Sequence, residues 1–185
     1  MPQLYLVRHG LTVENASHIL QGHLPGHLSA EGRKQAEALR DALAPIRFDA
    51  LLCSDLQRCI DTAAILNARR NLPTVYTPLL RERDWGPFTG MNILKARTLI
   101  DDRAETTDQL FRRAAEFLSK ASQRFPDGCL LVVSHGLFCR VIQALCAGKT
   151  LRDIPRMANA EARVISAEPP FRLPAPSSSA PVSDA

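Results

Sequence analysis

The chain has 185 residues, 45% of them hydrophobic and 23% charged, which is typical of a single globular domain with a substantial core. The formal net charge of +4 comes from lysines and arginines that are spread along the chain, so we expect no nucleic-acid partner. A charged residue follows as early as Arg8 and no apolar run approaches membrane-spanning length, so we expect neither a signal peptide nor membrane association.

Short apolar segments alternate with amphipathic segments along most of the chain. In chain order, we expect strands at residues 3–7, 49–53, 74–77, 129–133 and 163–167. Helical periodicity predicts helices over residues 30–43, 55–68, 107–121 and 137–147. The helix starts are marked by Ser29 as an N-cap and by two capping boxes, Ser54 with Gln57 and Thr106 with Gln109. This alternation predicts an α/β fold, a three-layer α/β/α sandwich around a mostly parallel central sheet.

The composition changes near the end of the chain. Residues 1–167 carry the alternating pattern and are expected to form one domain. From Glu168 onward Pro, Ser and Ala dominate, so residues 168–185 are expected to form a disordered tail.

The five cysteines are an odd number without a C-x-x-C pair, and most lie in apolar surroundings. Such cysteines are typical of buried reduced thiols. The pattern therefore favours a cytoplasmic protein.

Two of the expected strands end in the same way. The first runs into an Arg-His-Gly sequence at His9, and the fourth runs into Ser-His-Gly at His135. Open α/β sheets bind ligands at the carboxyl ends of their strands, so both imidazoles are expected to face one crevice. Arg8 stands beside His9, and Arg58 is expected to enter the crevice from the helix after the second strand. This many donors around one small volume suit a tetrahedral phosphoryl group.

The surroundings of His9 resemble the signature of the histidine phosphatase superfamily, the phosphoglycerate-mutase-like proteins. The first block is residues 6–10, with Thr12 and Asn15 behind it. The later blocks follow in the family's order: Gln21-Gly22, Leu28-Ser29 with Gly32 and Gln35-Ala36, residues 54–63, residues 80–86 with Gly90, and Val133-Ser134-His135-Gly136. Blocks in register over about residues 3–166 are far more specific than a single motif. The resemblance therefore implies the fold of that superfamily.

The resemblance also implies a role for each matching residue. His9 would attack phosphorus and form a phosphohistidine intermediate, which divides one difficult displacement into two easier ones. Glu82 would protonate the leaving oxygen and later deprotonate the attacking water. The residues expected to bind the phosphoryl oxygens are Arg8, Arg58, His135 and Asn15, with His135 as a charged donor. The pattern implies no metal and no organic cofactor.

Three of these side chains also have a simpler interpretation. Glu82 lies in a charged run that could be only a solvated face, Arg58 could be a surface helix residue, and His135 could be an ordinary core histidine. His23 and His27 flank a Pro-Gly pair and do not share a helical turn, so a metal site there is poorly supported.

The sequence matches the family only in part at the expected edge of the substrate site. Gln21 and Gly22 match the family, but Pro25 and Thr89 stand where it often has an aspartate and a glutamate. The leaving group therefore stays open. Residues 91–105 are also shorter than the insertion of the mutase branch, and a short, open lid admits water.

We therefore expect a metal-independent phosphomonoesterase that acts on a small-molecule phosphate ester. The alternatives are a phosphoglycerate-type mutase and a non-catalytic module that binds phosphate. The compact protein-phosphohistidine phosphatases of the superfamily generally lack an acid at the Glu82 position, so its presence favours a small-molecule ester.

Overall fold

The computed structural model describes residues 1–174, in which short strands alternate with helices. The strands are β1 (Gln3–Arg8), β2 (Ala50–Ser54), β3 (Thr74–Thr77), β4 (Cys129–Ser134) and β5 (Ala162–Ser166). The helices are α1 (Val13–Ala16), α2 (Ala30–Ala42), α3 (Gln57–Asn67), α4 (Ile93–Ala96), α5 (Thr107–Arg124) and α6 (Gly136–Ala147). Short 3-10 turns lie at Pro78–Leu80, Gly86–Phe88 and Leu151–Asp153.

The strands form one five-stranded sheet in the order β3-β2-β4-β1-β5. The first four run parallel to their neighbours, and β5 adds an antiparallel edge next to β1. Parallel neighbours need long crossover connections, which α2, α3 and α5 supply. The predicted α/β class with a mostly parallel sheet is confirmed.

Helices cover both faces of this sheet. Successive strand residues point to opposite faces, so Leu6 and Val132 pack in the cluster that contains α5 and α6. Val7 and Val133 pack in the other cluster, with residues of α2 and α3. Because β2 and β4 are buried on both faces, they are continuous apolar runs rather than alternating ones. The predicted three-layer α/β/α sandwich is therefore confirmed.

One of the two predicted capping boxes forms and the other does not. Thr106 Oγ1 accepts a hydrogen bond from the Gln109 amide at 3.3 Å, and Gln109 Oε1 accepts from the Thr106 amide at 2.7 Å. The box expected at Ser54 is wrong, because α3 begins at Gln57 with no side-chain cap. The Ser54 hydroxyl is buried and lies 2.9 Å from His135 Nε2 instead.

Two glycines let α2 approach the loop that follows β1. A Cβ on Gly10 would lie 2.5 Å from the Gly32 carbonyl oxygen, and a Cβ on Gly32 would lie 2.0 Å from that of Leu11. Neither position tolerates a side chain without moving the backbone. The first turn of α2 therefore holds the backbone just after His9.

The last described residues follow β5 without regular secondary structure, and Phe171 among them packs against the core. The rest of the expected disordered tail, residues 175–185, lies outside the described residues, and the division of the chain at residue 167 stays a prediction. Across residues 1–174, no helix combines the length and the hydrophobicity that crossing a membrane requires.

Candidate active site

The carboxyl ends of β1 and β4 bring two histidines together. Arg8 pairs with Ser134 in the parallel register, so the residues that follow them are neighbours. The ring centroids of His9 and His135 are 5.2 Å apart, and the ring planes meet at 65°. Both imidazoles therefore lie at the edge of the sheet where open α/β folds bind ligands.

His9 is buried as a neutral imidazole. Its Nδ1 lies 2.8 Å from the Gly10 carbonyl oxygen, and because a carbonyl can only accept, Nδ1 carries the hydrogen and Nε2 the lone pair. Burial lowers the pKa of His9 well below the ordinary histidine value of 6.5, and the guanidiniums of Arg58 and Arg8 lower it further. His9 can therefore act as a nitrogen nucleophile without first losing a proton.

His135 is fully buried and supports the neighbouring groups. Arg58 Nε donates to His135 Nδ1 at 3.2 Å, so the ring hydrogen lies on Nε2, which donates to Ser54 Oγ at 2.9 Å. Burial, followed by the charge of Arg58, lowers the pKa of His135 well below 6.5. The resemblance implies a charged His135 that donates to the phosphoryl group. In this structure the ring instead accepts from Arg58, and its lowered pKa favours the neutral form. Of the residues described, those that line the cavity do not include His135, which packs against His9 instead.

Arg58 is almost completely buried, so it is not a surface helix residue. Its Nη2 donates to the Gly22 carbonyl at 2.8 Å, and its Nη1 donates to the carbonyls of Leu24 and Pro25. Desolvation lowers the pKa of this guanidinium. The residue therefore connects the loop at residues 22–25 to His135 while it also lines the cavity.

Arg8 and Asn15 line the same cavity. Arg8 Nη1 donates to the Met157 carbonyl at 2.6 Å, while its buried Nε has no hydrogen-bond partner among residues 1–174. Asn15 Oδ1 accepts from the Thr12 amide at 3.4 Å, so the amide nitrogen is the donor that it can present to a ligand. The Arg8 Nε–H is therefore an unsatisfied buried donor beside the cavity, which costs folding free energy.

Glu82 also lines the cavity and is held by backbone N–H groups. Its Oε2 accepts from the Leu137 amide at 3.2 Å, and its Oε1 accepts from the Phe138 amide at 3.2 Å and the Arg83 amide at 3.0 Å. Leu137 and Phe138 belong to the first turn of α6, where amides have no intrahelical acceptor. The carboxylate therefore caps α6, so Glu82 is not merely one charge on a solvated face.

The cavity between these residues has a volume of about 180 Å³. Gln21 lies in its wall, where Nε2 donates to Thr12 Oγ1 at 2.9 Å and the buried Oε1 has no partner among the described residues. Gly22 supports the site through its backbone, since its carbonyl accepts a hydrogen bond from Arg58. Its φ of +49° favours glycine, and a Cβ there would lie 3.0 Å from Trp85. Gln21 therefore holds Thr12 beside the cavity, and Gly22 supports Arg58.

Sequence reasoning missed most of the remaining wall. The apolar residues that line it are Ile19, Leu20, Trp85, Ile93, Leu137 and Met157. Two further cations, Arg140 and Arg156, also line it. Arg140 follows Gly136 by one helical turn, a spacing that could have indicated the shared face. Arg156 lies in an irregular connection and has no such signal.

The two histidines between β1 and α2 do not share a site. His23 Nε2 lies 2.9 Å from the Glu82 carbonyl oxygen, and His27 Nδ1 lies 3.7 Å from Glu14 Oε1. Among residues 1–174, no three His, Cys, Asp or Glu side chains are grouped in a way that could hold a metal ion.

The two buried rings make the stability of the fold depend on pH. Below pH 6.5 the unfolded chain binds a proton on each ring, whereas folded His9 and His135 stay neutral because their pKa values are lowered. As the pH falls below 6.5, the free energy of unfolding is expected to decrease by up to roughly 1.4 kcal/mol per pH unit for each ring. Urea unfolding at successive pH values measures this slope. His9→Gln is expected to remove the part of this slope that comes from one ring. An unchanged slope would contradict a neutral His9.

A neutral histidine between two arginines, at the carboxyl edge of a parallel sheet, defines a phosphoryl-binding α/β protein. The chain belongs to the histidine phosphatase superfamily (branch 1), whose family model matches residues 4–170. It is similar to the broad-specificity phosphatase of Saccharomyces cerevisiae, with 33% identity over 156 residues that cover 76% of this chain and 68% of that protein. It is also similar to the adenosylcobalamin/alpha-ribazole phosphatase of Escherichia coli, with 39% identity over 151 residues, 72% of this chain and 73% of that protein. The crystal structure of the alpha-ribazole phosphatase from Shigella flexneri matches with a TM-score of 0.79 and 26% identity, over 89% of this chain and 90% of that one.

Proposed function

We propose that this chain is a metal-independent phosphomonoesterase that hydrolyses a small phosphorylated metabolite through a phosphohistidine intermediate on His9. The observation that carries the proposal is the neutral, buried His9, whose Nε2 holds the lone pair beside Arg8 and Arg58. Membership of the superfamily and relatives named as phosphatases support the same reaction class.

The reaction takes two steps. His9 Nε2 attacks phosphorus in line and the ester P–O bond breaks, while Glu82, which enters this step protonated, gives its proton to the leaving oxygen and becomes the carboxylate. Glu82 then takes a proton from water, whose oxygen attacks phosphorus and breaks the N–P bond, so that phosphate leaves and His9 returns to its neutral form. Arg8, Arg58 and Asn15 donate to the equatorial phosphoryl oxygens, where charge is spread in the transition state.

The remaining predicted site residues have supporting roles in this proposal. His135 holds Arg58 in place, and its own contact with a phosphoryl oxygen stays a prediction. Gln21 lies in the wall beside the substrate and holds Thr12 through its Nε2. Gly22 orients Arg58 through its carbonyl.

The segment between Met91 and Glu105 contains only the four-residue helix α4. It therefore favours transfer of the phosphoryl group from His9 to water over its return to an organic acceptor, as in a mutase. Such a short cover leaves room for water at the phosphoenzyme. A mutase is the second candidate, because Arg140 and Arg156 line the cavity in addition to the phosphoryl-binding arginines and suit a second anionic group. A mutase would need a bisphosphate primer and would interconvert phosphoglycerates faster than it hydrolyses them.

The test is a panel of phosphomonoesters assayed with EDTA present. The purified chain is expected to release phosphate, and rapid quenching with a labelled substrate is expected to trap a phosphoprotein that is stable in alkali and labile in acid. Peptide mapping should place the label on His9. Binding of phosphate without turnover of any ester would favour the non-catalytic module instead.

The apolar part of the cavity wall predicts a preference for apolar leaving groups. Hexyl and ethyl phosphate release alcohols of closely similar acidity, so a difference in kcat/KM between them reports binding of the alkyl group. Since each buried methylene contributes about 0.8 kcal/mol, hexyl phosphate is expected to be roughly tenfold better or more. Ile93→Ser is expected to reduce this ratio, whereas the exposed Leu99→Ser should leave it unchanged. Equal kcat/KM values for the two esters would contradict the preference.

A cytoplasmic location is part of the proposal. Each of the five cysteines is an unpaired thiol, and Cys53, Cys59 and Cys139 are buried. Burial raises the pKa of Cys59 far above the ordinary thiol value and that of Cys139 to about 12, so neither thiol competes with His9 as a nucleophile. A reducing compartment suits this set of thiols.

A further inference from the structure

The backbone that leads into Glu82 is held by one guanidinium from another helix. Arg113, on α5, donates through Nη1 to the carbonyl oxygens of Leu79 at 3.1 Å and Arg81 at 2.6 Å. Its Nη2 donates to the carbonyl of Glu82 itself at 3.3 Å. Because the fork of a guanidinium is planar and rigid, these bonds define where the segment lies relative to α5.

The same guanidinium is fixed by a carboxylate. Arg113 Nε and Nη2 donate to the two carboxylate oxygens of Glu105 at 2.9 and 2.8 Å, and both side chains are largely buried, with 16% and 14% exposure. Glu105 Oε2 also accepts from the Asp84 amide at 3.1 Å, and the Glu105 carbonyl accepts from Arg83 Nε at 2.7 Å. The pair therefore binds the chain on both sides of Glu82.

Arg113 also contacts the element that receives the Glu82 carboxylate. Its guanidinium carbon lies 4.1 Å from the ring centroid of Phe138, the residue whose amide donates to Glu82 Oε1. One side chain thus contacts the backbone of the acid and the first turn of the helix that the acid caps. The distance between these two parts sets where the carboxyl group stands in the cavity.

We propose that Arg113, paired with Glu105, is a positioning residue for Glu82 in the reaction. The inference rests on the proposed function, in which Glu82 transfers the proton. Arg113 does not line the catalytic cavity in the described part of the chain, so it acts through the loop and not on the substrate. Its loss lets the carboxyl group leave the amides of Leu137 and Phe138.

The test compares two esters that differ in their need for an acid. An alkyl phosphate needs a proton on its leaving oxygen, whereas p-nitrophenyl phosphate releases a stable anion. Glu82→Gln is expected to lower kcat/KM for the alkyl ester roughly 100-fold or more and for the aryl ester much less. Arg113→Lys keeps the charge but loses the planar fork. It should therefore lower kcat/KM for the alkyl ester roughly tenfold more than kcat/KM for the aryl ester. Arg113→Met, which also loses the charge, should show a larger difference between the two esters.

A purely structural role predicts a different result. A variant that only unfolds more easily lowers kcat/KM for both esters by the same factor, and this outcome would overturn the proposal. The matched control is Arg112→Lys, because Arg112 is the exposed neighbour on the same helix. Its ratio of alkyl to aryl kcat/KM is expected to equal that of the unmodified chain.

A second measurement separates this inference from the proposed function. The amides of Leu137 and Phe138 are protected from hydrogen exchange by Glu82, since they have no intrahelical acceptor. Arg113→Lys should speed their exchange as Glu82→Gln does, and unchanged exchange would overturn the positioning role. If the unmodified chain hydrolyses neither ester, the proposed function fails while the exchange data still decide the role of Arg113.

Discussion

Replacing His9 by alanine is expected to lower kcat/KM for every phosphomonoester by at least ~10⁴-fold while the fold remains intact. The reason is that Nε2 of this ring is the proposed nucleophile, and its lone pair is available because Nδ1–H is committed to the Gly10 carbonyl. Steady-state assays on the purified variant, with circular dichroism to check folding, measure the effect. Free imidazole that enters the vacated space is expected to restore part of the turnover.

The matched control for this substitution is His27→Ala. The His27 side chain is 74% exposed and lies outside the cavity-lining residues described, so its removal should leave kcat/KM within about twofold. A His9→Ala variant that retains a tenth or more of the activity would rule out a phosphohistidine on this residue.

The second large effect is expected from Arg58→Met. The substitution removes a buried guanidinium that donates to His135 and to three loop carbonyls. Unpaired buried acceptors cost about 1–3 kcal/mol each, so we expect the free energy of unfolding to decrease by roughly 2–4 kcal/mol after partial relaxation. Losing a cation at the phosphoryl group should also lower kcat/KM about 100-fold or more.

Urea unfolding and steady-state kinetics measure the two effects separately. Arg58→Lys keeps a positive charge but cannot reach all of the same acceptors, so it should recover activity only in part and stability hardly at all. The control is Arg69→Met, since the Arg69 side chain is 73% exposed. A free energy of unfolding for Arg58→Met within about 1 kcal/mol of the unmodified chain would contradict the structural role of Arg58.

The elements of the fold were largely predictable because they depend on local pattern. The apolar runs at residues 74–77 and 129–133 became β3 and β4 with boundaries shifted by one residue at most. The Ser54 capping box failed for a tertiary reason. The Ser54 hydroxyl accepts from the Leu56 amide, just before α3, and from His135, which follows the neighbouring strand, and not from the Gln57 amide that the capping box requires.

The candidate site was predictable in part of its membership but not in its chemistry, because His135 does not line the cavity, and Arg140 and Arg156, which do, were missed. Arg8, His9, Arg58 and Glu82 all line one cavity. The protonation of the two imidazoles, however, depends on burial and on the guanidiniums around them, which no local pattern reports. The expectation of a charged His135 differs from the structure for this reason.

The amino-acid sequence by itself determined which reactive groups the protein carries and in what order, because strand ends, glycine turns and motif spacing are properties of short segments. The tertiary structure alone decided that burial lowers the pKa of both histidines, that apolar side chains share the cavity wall with the charged ones, and that Arg113 holds the Glu82 segment. These features arise from contacts between residues that are far apart in the chain, and their energies depend on how completely water is excluded from them.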